Sequence, residues 1–283
     1  MRLSSAKELD LATQRIGFLG AGSMVEAMLS GIVKQGIIPV DQISLTNRSN
    51  EERLQELSDQ FGVRSLRDQQ ELISESDILI LGMKPKDVAE ACLSLKGKVR
   101  ADQLVITVIA GVSTDCIGQW LGVECPIIRS MPNTSSAIGL SATGIAKGRF
   151  ATDDHLRLAT RLFESIGSVY AVPEEDLDII TGLSGSGPAY IYYLVEAMES
   201  AGASAGLSPE MARELTIQTL LGAAQMLKHT KEEPSTLRRK VTSPGGTTQA
   251  GLEVLESYDF QKAISAAILR AAERARELGA QFR

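Results

Sequence analysis

The segment Arg15-Ile16-Gly17-Phe18-Leu19-Gly20 runs into Gly20-Ala21-Gly22-Ser23-Met24-Val25 and then a stretch of helical apolar periodicity that closes at Gly36. No other feature constrains the fold of this chain as much. A short apolar strand, a Gly-x-Gly turn and a helix opening directly from it form the phosphate-binding start of a Rossmann unit. Gly20 permits the sharp turn, and Gly22 lets the backbone approach a pyrophosphate at the positive end of the helix. Ser23 and Met24 complete the candidate loop. Val25 stands where a third small residue is usual, so the helix is expected slightly farther from the strand.

The second apolar run, Ile43-Ser44-Leu45-Thr46, ends at Asn47-Arg48-Ser49. NAD-preferring folds place an acid near this point for the ribose 2′-hydroxyl; here there is an arginine flanked by small polar groups, which suits a 2′-phosphate. NADPH is therefore the expected cofactor, with NADH as a usable substitute. Asn47 or Ser49 could equally cap the helix that begins near Glu51. Further buried-strand patterns follow at Asp77-Ile78-Leu79-Ile80-Leu81-Gly82, Leu104-Val105-Ile106-Thr107-Val108 and Pro126-Ile127-Ile128-Arg129-Ser130-Met131, each leading into a helical pattern or turn. Strands alternating with helices at this spacing predict an α/β, doubly wound parallel sheet. Ligands bind beyond the carboxyl ends of such strands. Lys84, Ala110 and Asn133 lie at those ends, so they are expected to border the nicotinamide half of the cofactor, and their neighbours Met83, Pro85 and Gly111 join the expected cofactor-binding set. Two shorter strands, at 140–146 and 168–172 with a helix between them, complete this domain.

After Pro173 the patterning becomes helical throughout. Glu174 opens a helix that Gly182-Leu183-Ser184-Gly185-Ser186-Gly187-Pro188 interrupts, and Ser208-Pro209-Glu210 is a helix start with proline at the first position. The expected organisation is an extension at 1–14, a dinucleotide-binding Rossmann domain at 15–173 and an all-α dimerisation and substrate domain at 174–283. A helical half this apolar buries itself more readily against a second copy than alone. Near its end lies Val241-Thr242-Ser243-Pro244-Gly245-Gly246-Thr247-Thr248. Pro244 withholds a backbone donor, the glycine pair bends the chain, and four hydroxyls crowd the helix start that follows. Thr247 or Thr248 could cap that helix. Alternatively its free N–H groups, from Gly245 to Thr248, hold a substrate carboxylate.

The net charge of −6, with 29 basic residues in no long cluster, argues against a nucleic-acid surface. Cys92, Cys116 and Cys125 have no CxxC or metal-ligand spacing, so no metal is expected and a reducing cytoplasm is. The stretch 1–14 is charged and lacks the apolar run of a signal peptide, and no window reaches transmembrane length.

Together, Gly182-Leu183-Ser184-Gly185-Ser186-Gly187-Pro188-Ala189-Tyr190 and Val241-Thr242-Ser243-Pro244-Gly245-Gly246-Thr247-Thr248 resemble pyrroline-5-carboxylate reductases, as do Gly20-Ala21-Gly22-Ser23-Met24, Lys84-Pro85 and Met131-Pro132-Asn133-Thr134. The resemblance covers nearly the whole chain after Gln14. It implies NAD(P)H-dependent reduction of 1-pyrroline-5-carboxylate to proline, the last step of proline biosynthesis. It also implies a homodimer, with five dimers often joined as a ring-shaped decamer. Gln69 stands where many members carry an asparagine at the cofactor ribose, and Glu174 is also expected in the cofactor-binding set. Arg239-Lys240 stands where an acidic residue is common.

The chemistry can be argued separately from the resemblance. Reduction of a cyclic imine needs a hydride donor, a grip on the carboxylate and one proton, which the imine can bring with it. A pocket of Ser, Thr and Gly suffices. Thr248 is the candidate to donate or relay the proton, with Ser243 as competitor, alongside Gly245, Gly246 and Thr247 in the substrate site. A hydroxyacid dehydrogenase of related architecture would need a lysine base on the helix after the Rossmann domain, and no lysine occurs between Lys147 and Lys228.

Overall fold

In a computed structural model, the chain is described over residues 10–282. The first nine residues of the extension expected at 1–14 therefore lie outside the described residues. The chain alternates strands and helices: β1 (Ile16–Leu19), α1 (Ser23–Gln35), β2 (Ile43–Thr46), α2 (Glu51–Phe61), β3 (Arg64–Ser65), α3 (Gln69–Glu75), β4 (Ile78–Leu81), α4 (Val88–Ser94), β5 (Leu104–Thr107), α5 (Thr114–Leu121) and β6 (Ile127–Met131). After these come β7 (Ser141–Lys147), α6 (Asp153–Glu164) and β8 (Gly167–Ala171). One eight-stranded sheet results, in the order β3-β2-β1-β4-β5-β6-β7-β8.

The strands are apolar throughout because both faces are covered. Phe18, Ile80 and Ile106 point into one core with Met28, Leu29 and Ile32 of α1 and Phe163 of α6. Leu19, Leu79, Leu81 and Val105 point into the other, with Val88, Cys92 and Ile117. Leu11, just ahead of β1, is fully buried in the first core.

The sheet departs from expectation at one edge. β7 runs antiparallel to β6, and β8 runs parallel to β7. Residues 132–140 hold only a short 3₁₀ turn, Thr134–Ile138, whereas a parallel return needs a crossover of a dozen or more residues. The chain must therefore double back.

Beyond β8 lie α7 (Leu177–Ile180), a π-helical turn (Thr181–Gly185), α8 (Gly187–Ser204), α9 (Pro209–Thr230), α10 (Pro234–Lys240), α11 (Thr247–Ser257) and α12 (Phe260–Ala280). The glycine-rich stretch thus widens the helix rather than breaking it: Ser186 N–H reaches Thr181 O at 2.8 Å, one residue beyond the α pattern.

Packing divides the chain into two compact units, one formed by residues up to Ser186 and from Leu269 onward, the other by Gly187–Ile268. In the second unit α8 and α9 approach closely, a Cβ at Gly202 lying 3.0 Å from that of Ala212. α8 has no buried residue, and Tyr192, Tyr193, Met211, Leu215, Leu221 and Val254 are all exposed.

Candidate functional site

The parallel registers bring the carboxyl ends of the strands to one edge: Leu19 pairs with Thr46 and Leu81, and Leu81 with Thr107. β1 lies between β2 and β4, where the strand order reverses, and such a switch point forms the crevice of open α/β sheets. The loop beginning at Gly20 therefore starts beside the loop holding Asn47, Arg48 and Ser49 on one side. On the other side is the loop holding Met83, Lys84 and Pro85. Gly20 N–H donates to Thr46 O at 2.9 Å, and Gly82 N–H to Leu19 O at 2.9 Å. Gly20 has φ 122°, and a Cβ there would lie 2.6 Å from Gly82 O, so no other residue fits.

The helix start that follows has no cap. Gly22 occupies the N-cap position of α1 without a side-chain hydrogen bond, and Gly22 and Ser23 are exposed. The first N–H groups of α1 are left for an anion, and nothing lies closer than 3.9 Å to where a Cβ of Gly22 would stand. This arrangement fits the pyrophosphate of a dinucleotide.

Helix α2 begins differently from expectation. Neither Asn47 nor Ser49 caps it: Asn50 Oδ1 accepts Arg53 N–H at 2.9 Å, while Asn47 Oδ1 accepts Ser49 N–H at 3.3 Å within the loop. The cap lies one residue past the small polar triplet, leaving Arg48 exposed, with its Nη1 3.1 Å from Glu90 Oε2. A second arginine escaped the sequence reading. Arg53 Nε donates to Ala21 O at 3.3 Å, and its guanidinium also pairs with Glu26 in the first turn of α1 and with Glu56 at 3.1 Å. Glu56 and then Glu26 raise its pKa further above the ordinary value, so it is a fixed cation bracing the glycine loop.

Several candidates have their side chains or surroundings already committed. Glu174 Oε1 accepts Thr114 N–H at 2.8 Å, its Oε2 accepts the Thr114 hydroxyl at 2.7 Å, and Arg129 stands 3.6 Å away. The geometry gives Glu174 a bracing role at the start of α5. Arg129 is a charge buried inside an apolar strand, and its Nη2 meets Asp178 at 2.8 Å. Its position between Ile128 and Ser130 was the available signal, because a buried arginine requires a carboxylate partner. Asn133 is 8% exposed; its Nδ2 donates to Ser184 O at 3.0 Å and its Oδ1 accepts Ser135 N–H at 3.0 Å. It ties the end of β6 to the π-helical turn. Ala110 is half-buried, whereas Gly111 is buried against Ala275 and Gly279 of α12. Gln69 opens α3, which Asp68 caps and whose Leu72 packs against Gly17 of β1.

In the second unit, α11 starts at Thr247 with Gly246 at its N-cap position and no side-chain cap, so Thr247 and Thr248 are helical residues rather than caps. The donors of the turn are partly used: Gly245 N–H reaches Gln249 Oε1 at 2.8 Å and Gly246 N–H reaches Ser243 O at 3.0 Å. The free donors are those of the first turn of α11, a narrower set than 245–248. Ser243 and Thr248 are exposed. Among the described residues no His/Cys/Asp/Glu group could hold a metal ion, and no helix is long and apolar enough to cross a membrane. The three cysteines are unpaired and buried, and burial pushes the thiols of Cys92 and Cys125 up to about 12 and about 11, so they are not nucleophiles.

The sheet, its switch point and the uncapped α1 define a Rossmann-type dinucleotide-binding oxidoreductase fold followed by a helical domain. Residues 15–111 match the family described as NADP oxidoreductase coenzyme F420-dependent, and residues 174–278 match pyrroline-5-carboxylate reductase dimerisation. Pyrroline-5-carboxylate reductase 1 of Bacillus subtilis is 49% identical over 94% of this chain and 89% of its own length. The solved structure of a pyrroline-5-carboxylate reductase from Coxiella burnetii is similar with a TM-score of 0.86 and 36% identity, covering 94% of this chain and 98% of that one. The Plasmodium falciparum pyrroline carboxylate reductase structure, with NADP bound, gives a TM-score of 0.87 at 27% identity, covering 95% and 99%. The chain belongs to the pyrroline-5-carboxylate reductase family.

Proposed function

We propose that this chain reduces 1-pyrroline-5-carboxylate to L-proline with NADPH, the last step of proline biosynthesis, and that NADH can substitute. The carrying observation is the α11 start: an uncapped helix N-terminus set between two exposed hydroxyls, Ser243 and Thr248, in a family of imine reductases. We assign residues 15–173 to the cofactor and 174–283 to substrate and assembly. The bound reduced nicotinamide supplies hydride to the imine carbon. The first turn of α1 holds the pyrophosphate, with Gly20, Ala21, Gly22, Ser23 and Met24 shaping the loop, and Arg48 pairs with the 2′-phosphate. The first turn of α11 takes the substrate carboxylate. Thr248 hydrogen-bonds the imine nitrogen and donates or relays its proton, Ser243 being the competitor for that role.

The exposed apolar side chains of α8, α9 and α11 support a homodimer. A decamer of five such dimers is the further assembly we propose. Three free, buried cysteines accord with the reducing cytoplasm.

The test is steady-state oxidation of NADPH by purified protein with 1-pyrroline-5-carboxylate, with proline measured as product. Tight NADPH binding without turnover would make the chain a cofactor-binding sensor instead.

A further inference from the structure

The ion pair between Arg48 and Glu90 joins the loop after β2 to the helix that follows β4, on either side of β1. Arg48 follows β2, and Glu90 lies in the first turn of α4, reached from β4; β2 and β4 are the two neighbours of β1. The pair therefore spans the carboxyl end of β1, where the Gly20-Ala21-Gly22 turn begins. Its Nη1–Oε2 distance is 3.1 Å, and the two side chains are 71% and 70% exposed. No other acidic side chain pairs with Arg48 among the described residues.

We infer that Glu90 is a specificity-determining residue, setting how strongly the chain prefers NADPH over NADH by competing with the 2′-phosphate for Arg48. This deepens the proposal that Arg48 reads that phosphate, and rests on it. An exposed pair is cheap to break, so a phosphate of nearly two negative charges displaces a carboxylate of one. The guanidinium can meet that phosphate with two parallel hydrogen bonds. The exchange is still not free. Each NADPH that binds must first draw Arg48 off Glu90, whereas NADH, lacking the phosphate, leaves the pair intact. Glu90 thus lowers the affinity for one cofactor and is indifferent to the other. That selectivity separates it from a residue that merely shapes the crevice.

The experiment is a set of equilibrium titrations, followed by cofactor fluorescence, of the full chain and its Glu90→Gln, Arg48→Ala and double variants with NADPH and with NADH. Glu90→Gln should tighten NADPH about 2- to 5-fold, the range an exposed ion pair supports, and leave NADH unchanged. In the Arg48→Ala background the same substitution should have no effect on NADPH. Equal tightening in both backgrounds, or equal changes for both cofactors, overturns the competition while leaving the role of Arg48 intact. If Arg48→Ala weakens NADPH and NADH alike, the reading of Arg48 itself fails, and the inference with it. Both substitutions fall on exposed side chains, so folding is not at stake, and far-ultraviolet circular dichroism of each variant verifies it.

Discussion

Val25 fills the space that Gly82 leaves empty: a Cβ on Gly82 would lie 2.4 Å from Val25 Cγ2. The larger residue on α1 finds room because the residue facing it, just past β4, has no side chain, and Val25 is fully buried.

Gly82→Ala should destabilise the protein by about 1–3 kcal/mol, the usual cost of overpacking a well-filled site. Val25→Ala alone should cost stability by leaving a cavity, and the double variant should recover much of the loss. Urea unfolding midpoints of the four proteins measure this. Additive losses would mean that the two residues are not coupled.

The two arginines at the adenosine end should behave differently. Arg48→Ala should weaken NADPH about 10- to 100-fold and leave NADH nearly unchanged, as loss of a hydrogen bond to a charged group does. Arg53→Ala removes the brace from Ala21 O and Glu26, so it should weaken both cofactors by similar factors. Isothermal titration with each cofactor separates the cases, and a selective effect at Arg53 would refute its role as a brace.

Asp178→Asn should destabilise strongly, because it leaves Arg129 with only the more distant Glu174. Removing one partner of a buried pair costs about 3–5 kcal/mol, and the lower end applies here since Asp178 keeps some solvent contact. Arg129→Met together with Asp178→Leu should recover part of the loss. Thermal unfolding of the two variants decides it; Asp178→Asn as stable as the parent would show that the pair is not desolvated.

Thr248→Val keeps the shape of the side chain and removes its hydroxyl. If that hydroxyl supplies the proton in the transition state, kcat should fall about 10²- to 10⁴-fold while NADPH binding survives. A rise in KM with kcat intact would mean that it only binds substrate. Ser243→Ala is the matched control, and a larger loss of kcat there would exchange the two roles.

Light scattering at micromolar concentration should report a dimer or larger assembly, given the exposed Tyr192, Tyr193, Leu215 and Leu221. A fully active monomer would contradict the proposed assembly.

The central strands and the glycine loop were legible because burial on both faces leaves continuous apolar runs, and because the Gly-x-Gly turn has few alternatives between strand and helix. Strand β3 was not, since Arg64 and Ser65 are both exposed and carry no apolar signal. The direction of β7 does not follow from its own residues at all; the length of the preceding connection decides it. Gly182 and Gly185 read as a break, yet the helix absorbs them as a π turn, and Asn50 rather than Asn47 or Ser49 proves to be the cap. At the candidate site, residue types singled out the loops beyond the strand ends, whereas the side-chain pairings within them did not emerge. Arg53, Glu90 and Asp178 act through partners distant in sequence, which a single chain read linearly does not reveal.

The packing of α12 also bears on how the protein is made. Its last turns belong to the first unit: a Cβ on Gly279 would lie 2.1 Å from Gly111 O, and Phe282 sits edge-on to Trp120 with ring centroids 5.6 Å apart. The ribosome produces those turns only after every helix of the second unit. A nascent chain that has just finished β8 therefore carries a dinucleotide fold with one flank still open around Trp120 and Cys116. Trp120 is the single tryptophan, so its fluorescence should mark the moment that flank closes during refolding.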